Sequence, residues 1–128
     1  MQTTEKYQRG VVGDIAVQSA PRPCFFKNGR GLVHIFKEHI VCLISDGHVC
    51  NLYLSYRRTP IVINNSFQNV LSMFSDVLTF VRRGSAVNLH HVSTISDGHV
   101  NLAPPHNDIS IAYTKESYQH ILTLIDVL

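Results

Sequence analysis

The sequence predicts an α+β protein made of two tandem units of antiparallel β-strands, each followed by an amphipathic helix, packed as a pseudo-dimer. Three observations predict it. Ile44-Ser45-Asp46-Gly47-His48-Val49 recurs letter for letter as Ile95-Ser96-Asp97-Gly98-His99-Val100. Each copy follows a stretch rich in Ile, Val and Leu and precedes apolar residues at helical spacing. No linker rich in Gly, Ser or Pro separates the copies, so they are expected to pack on each other. A repeated unit that cannot bury its own apolar face stacks on its neighbour. The expected divisions are 1–20, an N-terminal arm or edge hairpin; 21–84, a first β-β-β-β-α unit; and 85–128, a second β-β-β-α unit.

The first unit opens with strands at 32–37 and 39–45. Ser45-Asp46-Gly47 is read as a tight turn, because Asp-Gly favours positive φ in hairpins. A strand over 48–56 and a short one from Pro60 to Ile63 follow; Pro60 suits a strand start because it has no N–H to give to a ladder. Asn64, Asn65 or Ser66 can cap the next helix. Val70, Leu71, Phe74, Val77, Leu78 and Val81 share one helical face, and Gly84 ends that helix as a C′ residue. The second unit repeats the order: Ala86 to Ile95 as a strand, an Asp97-Gly98 turn, 99–102 as a strand, a loop over 103–107, then Ile109 to Tyr113. Thr114 caps a helix from about Lys115 to the C-terminus. Asn51-Leu52 aligns with Asn101-Leu102 after a one-residue slip relative to the hexapeptides. In residues 1–20, Val11-Val12 and Ile15-Ala16-Val17 flank Gly13-Asp14 as a small hairpin or added edge strand.

At 45% hydrophobic and 16% charged, a chain of this size has the means for a core and lacks the composition of disorder. No apolar run reaches the ~18 residues of a membrane span, and residues 1–20 lack the pattern of a secretory signal. The three cysteines are odd in number and have no C-x-x-C spacing, so they read as reduced buried thiols of an intracellular protein of nucleus or cytoplasm.

Catalytic chemistry has no signature here. There is no strained nucleophile turn of the G-x-S-x-G kind, no pair of carboxylates suited to glycoside hydrolysis, and no phosphate-cradling glycine loop. The chain is therefore expected not to be an enzyme and to need no cofactor. Eight histidines are many. A zinc site needs about four ligands in tetrahedral array; His39, His48, Cys50, His90, His91 and His99 include no H-x-x-x-H or C-x-x-C pair, so no metal site is assigned. Asp46 and Asp97 read as turn residues whose carboxylates accept backbone N–H groups.

Charge is where the halves part. Residues 1–84 hold ten of eleven Lys and Arg against five acids; residues 85–128 hold Lys115 against four. A polyanion would meet the first half. Single-stranded nucleic acid needs cations along a groove and flat side chains on which bases stack. Phe25, Phe26, Lys27, Arg30, His34 and Lys37 fall on one predicted hairpin, and Tyr53, Tyr56, Arg57 and Arg58 on the next. Alternation puts Tyr53, Ser55 and Arg57 on one face and Leu52, Leu54 and Tyr56 on the other.

Tyr56-Arg57-Arg58-Thr59-Pro60-Ile61-Val62-Ile63-Asn64-Asn65-Ser66-Phe67, followed by helical spacing, resembles the end of the domain of the positive cofactor 4 family. Phe26-Lys27-Asn28-Gly29-Arg30-Gly31-Leu32-Val33-His34-Ile35 is similar to that family's opening strand. The resemblance covers about 23–83. It implies a curved four-stranded antiparallel sheet, a helix that pairs across a dimer, and a single-strand DNA-binding coactivator. It also implies phosphate contacts by Lys27, Arg30, Lys37, Arg57 and Arg58, with stacking by Tyr53 or Phe25.

The expected function is thus non-enzymatic binding of single-stranded DNA or RNA in the regulation of transcription or replication. A homodimer fits the exposed strand edges. The alternative is a protein-interaction or host-modulating module that has lost nucleic acid: where the first unit has Arg57-Arg58, the second has His106-Asn107-Asp108, and its acidic surface would then meet a protein partner.

Overall fold

The structure, a computed structural model, describes residues 22–128. The hairpin expected within residues 1–20 lies outside them. The chain forms two compact bodies, one ending at His34 and one spanning Ile35–Leu128. Among the described residues no helix is long and apolar enough to cross a membrane.

In the first body, β1 (Cys24–Asn28) and β2 (Gly31–Ile35, whose last residue belongs to the second body) pair as a two-stranded sheet. Gly29 takes φ +60 in the connecting turn, where an L side chain would be strained.

The second body opens with a 3-10 turn at Lys37–His39, then β3 (Ile40–Asp46), β4 (Val49–Leu54), β5 (Ile61–Ile63) and helix α1 (Phe67–Met73). β6 (Thr79–Arg82) and β7 (Ser85–Val87) follow, then a 3-10 turn at Leu89–His91, β8 (Val92–Ser96), β9 (His99–Leu102), β10 (Ser110–Ala112) and helix α2 (Lys115–Leu122). β5-β4-β3-β7-β6 form a five-stranded antiparallel sheet, and β10-β9-β8 a three-stranded one. β3 is central. Ile40, Val41, Cys42 and Leu43 are all buried, as expected of a strand covered on both faces. Val41, Cys42, Val81 and Val87 share a core with Val100, Leu102, Ile111 and Ile121. α1 lies on β3 and β4, burying Val70 and Phe74, and α2 lies on β6.

This architecture overturns the predicted fold class. The chain is mostly antiparallel β-sheet with two short helices, and two strand-then-helix units packed as a pseudo-dimer are not seen. The helix expected over residues 67–83 stops at Met73, where Phe74 leaves helical geometry with φ −117 and ψ 26. Val77, Leu78 and Val81 fit a helical period, but Thr79–Arg82 also alternates, with Val81 buried between exposed Phe80 and Arg82. Sheet pairing wins because β6 and β7 complete the edge beside β3. Gly84, expected to cap a helix, instead turns that hairpin at φ +77, and its carbonyl accepts the Ser45 N–H at 2.8 Å. The helix of the region that resembles the positive cofactor 4 family is thus only seven residues long.

The strand expected from Ala86 to Ile95 is also interrupted. Asn88 is buried; its Nδ2 donates to the Ile40 carbonyl at 2.8 Å and its Oδ1 accepts the His90 N–H at 3.0 Å. That long-range bond draws the chain out of the strand into a 3-10 turn. α2 is shorter than expected and ends at Leu122. Both helix caps are as the sequence allows: Ser66 Oγ accepts the Asn69 N–H and Thr114 Oγ1 the Ser117 N–H.

The two copies of the hexapeptide close different turns. In the second copy Asp97 and Gly98 form the turn at φ 53 and φ 80, between the pair Ser96↔His99. In the first copy the closing pair is Asp46↔Val49, so the turn is Gly47-His48 and Asp46 belongs to the strand. The Ser45-Asp46-Gly47 turn expected there is displaced by one residue. Gly47, at φ +64, supplies the positive φ that a two-residue hairpin needs.

Candidate nucleic-acid interface

The predicted binding residues fall in both bodies. In the first, alternation along β1 and β2 puts Phe25 and Lys27 on one face together with Leu32 and His34. Phe25 is about half exposed and stacks on His34, with centroids 4.7 Å apart and planes 19° from parallel. Lys27 is exposed, and Arg30 is exposed in the turn. Residues 22–34 hold no carboxylate. The hairpin therefore carries a π surface beside positive charge.

In the second body the predicted set separates. Lys37 Nζ lies 2.8 Å from Asp76 Oδ2, so its charge already has a partner, though a surface pair of this kind is worth only about 0–1 kcal/mol. Tyr53 points inward. It packs against the core shared with the three-stranded sheet and meets His106 edge-on at 5.2 Å. Burial pushes its phenol above the ordinary range. Arg57 and Arg58 are exposed in the loop after β4, and neither forms an ion pair with another described residue.

The residue beside the arginines is Tyr56, which is 57% exposed. Alternation would bury it with Leu52 and Leu54, but β4 ends at Leu54, so alternation no longer applies. Tyr56 stands edge-on to His39 at 5.5 Å, and His39 stands edge-on to Phe36 at 6.1 Å. Phe36 and His39 lie 17 or more positions before Tyr56, and no spacing in the sequence marks them as its aromatic neighbours. The adjacency Tyr56-Arg57 was the available signal.

The loop is anchored at its root. The Ser55 N–H donates to the His39 carbonyl at 2.9 Å, Ser55 Oγ lies 3.3 Å from His39 Nδ1, and the Arg57 N–H reaches the Leu54 carbonyl at 3.4 Å. Elsewhere on this body, a cleft of about 510 Å³ is lined in part by Asp76, His90 and Asp126. Two carboxylates make it a poor seat for a polyanion.

Other chemistry is poorly served. Burial pushes the Cys42 thiol up to about 12 and raises Cys50 in the same direction, so neither is a ready thiolate. Among the described residues no three His, Cys, Asp or Glu side chains converge as metal ligands.

No family model matches the sequence, and no curated protein matches it. The structure resembles a solved LytTr DNA-binding domain from Bacillus cereus, with a TM-score of 0.58 and 14% identity, over 80% of this chain and 97% of that one. At that identity the likeness is one of fold.

Proposed function

We propose that this chain is a nucleic-acid-binding module that acts in regulation and not as an enzyme, and that it meets its ligand through the Tyr56-Arg57-Arg58 loop; the β1–β2 hairpin, taken by itself, offers a second, separate contact. The observation that carries the reading is the loop itself: an exposed ring beside two exposed arginines without ion-pair partners among the described residues. Arginine suits the task, since its planar fork meets phosphate oxygens in pairs. The likeness to a DNA-binding domain supports DNA as the ligand.

The finer reading is a preference for single strands. An unpaired base can stack on Tyr56 or on the Phe25–His34 pair; a base within a duplex cannot. The test is fluorescence anisotropy with labelled single- and double-stranded oligonucleotides across a salt series. Arg57→Ala/Arg58→Ala should weaken binding to both ligands and flatten the salt slope by about 1.5–2, because each lost phosphate contact removes a released counterion. Tyr56→Ala should cost about 1–3 kcal/mol on single strands and little on duplex. Absence of salt-dependent binding by the wild type at micromolar concentration would overturn the proposal. Equal losses on both ligands with Tyr56→Ala would overturn the single-strand preference alone.

A further inference from the structure

His106 is a buried histidine that the proposed contact does not use. It is 2% exposed, and its ring faces Tyr53. Its Nε2 lies 2.8 Å from the Leu54 carbonyl oxygen. A carbonyl only accepts, so Nε2 carries the proton and donates. The same oxygen accepts the Arg57 N–H at 3.4 Å. One acceptor, with two lone pairs, therefore joins His106 to the turn that presents Arg57.

The bond from Arg57 is long and weak by itself. The bond from His106 is short and buried, and in a low-dielectric setting it is the stronger of the two. His106 is itself held on both sides. Its N–H donates to the Ala103 carbonyl at 3.0 Å, and its carbonyl accepts the Ile109 N–H at 3.0 Å. Fixing Leu54 O fixes the point from which residues 55–58 leave β4.

When the sequence is aligned on Asn51-Leu52 and Asn101-Leu102, His106 stands opposite Tyr56, Asn107 opposite Arg57 and Asp108 opposite Arg58. Tyr56 is exposed beside two cations, whereas His106 is turned inward, against the root of the other loop.

We infer that His106 is a positioning residue for the Tyr56-Arg57-Arg58 loop, setting the affinity of that loop for nucleic acid without touching the ligand. The effect on affinity rests on the proposed function; the effect on the loop does not. Two measurements keep them apart. The first is limited trypsin digestion, comparing cleavage after Arg57 and Arg58 with cleavage after Arg82 and Arg83 in the same chain. His106→Leu fills space but cannot donate, and it should raise the first relative to the second about fivefold to tenfold, the loss of one buried hydrogen bond. His106→Gln, which can still reach Leu54 O with an N–H, should restore the wild-type ratio. Cleavage at both places rising together in His106→Leu, or no rise, overturns the inference, as does failure of His106→Gln to restore the ratio.

The second measurement is anisotropy with a labelled single-stranded oligonucleotide. His106→Leu should weaken binding several-fold and flatten the salt slope, with His106→Gln near wild type. A changed trypsin ratio with no effect on the affinity of a binding-competent wild type overturns the link to affinity. A changed ratio in a chain whose wild type binds no oligonucleotide supports the positioning role and overturns the proposed function instead.

Discussion

The two copies of Ile-Ser-Asp-Gly-His-Val are identical in sequence and different in structure. In the first, Asp46 is the last residue of a paired strand and the chain turns on Gly47-His48. In the second, Asp97 itself turns, at φ 53, with Gly98. Local chemistry permits both, since glycine first in the turn and Asp-Gly across it are each favoured hairpin connections. The choice is made from outside the hexapeptide. The first copy has Cys50 between Val49 and Asn51, while Val100 runs straight into Asn101. Cys50 and Val100 are both buried, one residue before the aligned asparagines, and Leu52 and Leu102 are both buried one residue after them. Keeping those residues inside moves the turn by one position. A one-residue slip would instead carry every following side chain to the opposite face. Burial of the strand therefore outranks the turn's own preference.

The sharpest way to probe the difference is the strand before each turn. Leu43 and Thr94 occupy the same offset from their hexapeptides, yet Leu43 is fully buried and Thr94 is exposed. Leu43→Ala should cost about 2–5 kcal/mol of stability in urea denaturation, and Thr94→Ala within about 0.5 kcal/mol. Comparable costs would mean that the strands are buried alike.

Cys42 and Ser93 form the next such pair, one buried and one exposed. The Cys42 thiol stands at about 12 in the folded chain against an ordinary 9. The folded state thus resists the thiolate, and the unfolded state takes it up from about pH 9. Stability is unaffected below pH 9 and falls as pH rises from 9 toward 12, by up to about 4 kcal/mol. The raised Cys50 thiol and Tyr53 phenol add losses of the same sign. Denaturation midpoints should fall through this window, and Cys42→Val should remove most of the fall. Midpoints level from pH 9 to 11 would place Cys42 in contact with water.

These contrasts mark what could be read from residues alone. The β3–β4 hairpin, the short strand after Pro60 and both helix caps announce themselves locally, through β-branched runs, turn residues and Ser or Thr ahead of a helix. The elements that could not be read are settled by distant partners. Thr79–Arg82 satisfies two periodicities, and only an open sheet edge beside β3 decides between them. Asn88 looks like one more strand residue until its amide finds the Ile40 carbonyl, 48 positions away. The candidate site was half legible. Arg57 and Arg58 stand out as cations in an otherwise apolar stretch. The exposure of Tyr56 depends on where β4 stops, the inward position of Tyr53 on the core it shares with the three-stranded sheet, and the pairing of Lys37 on Asp76.

The smallest expected effect tests the turns themselves. Asp46 and Asp97 have the same neighbours for three residues on one side and two on the other, so any effect that is purely local must treat them alike. Their backbones differ. Asp97 sits in the left-handed region, where aspartate is tolerated and alanine strained; Asp46 sits in extended geometry, which alanine adopts freely. Asp97→Ala should therefore cost about 0.5–1 kcal/mol, and Asp46→Ala close to nothing. The glycines supply the control. Gly47 and Gly98 both have positive φ with open space where a Cβ would stand, so Gly47→Ala and Gly98→Ala should each cost about 1–2 kcal/mol. Urea midpoints of the four variants give the pattern directly. Equal glycine losses with unequal aspartate losses are the mark of one peptide held in two turns. Equal losses at the two aspartates would show that the copies turn alike and that Cys50 does not set the register of the first.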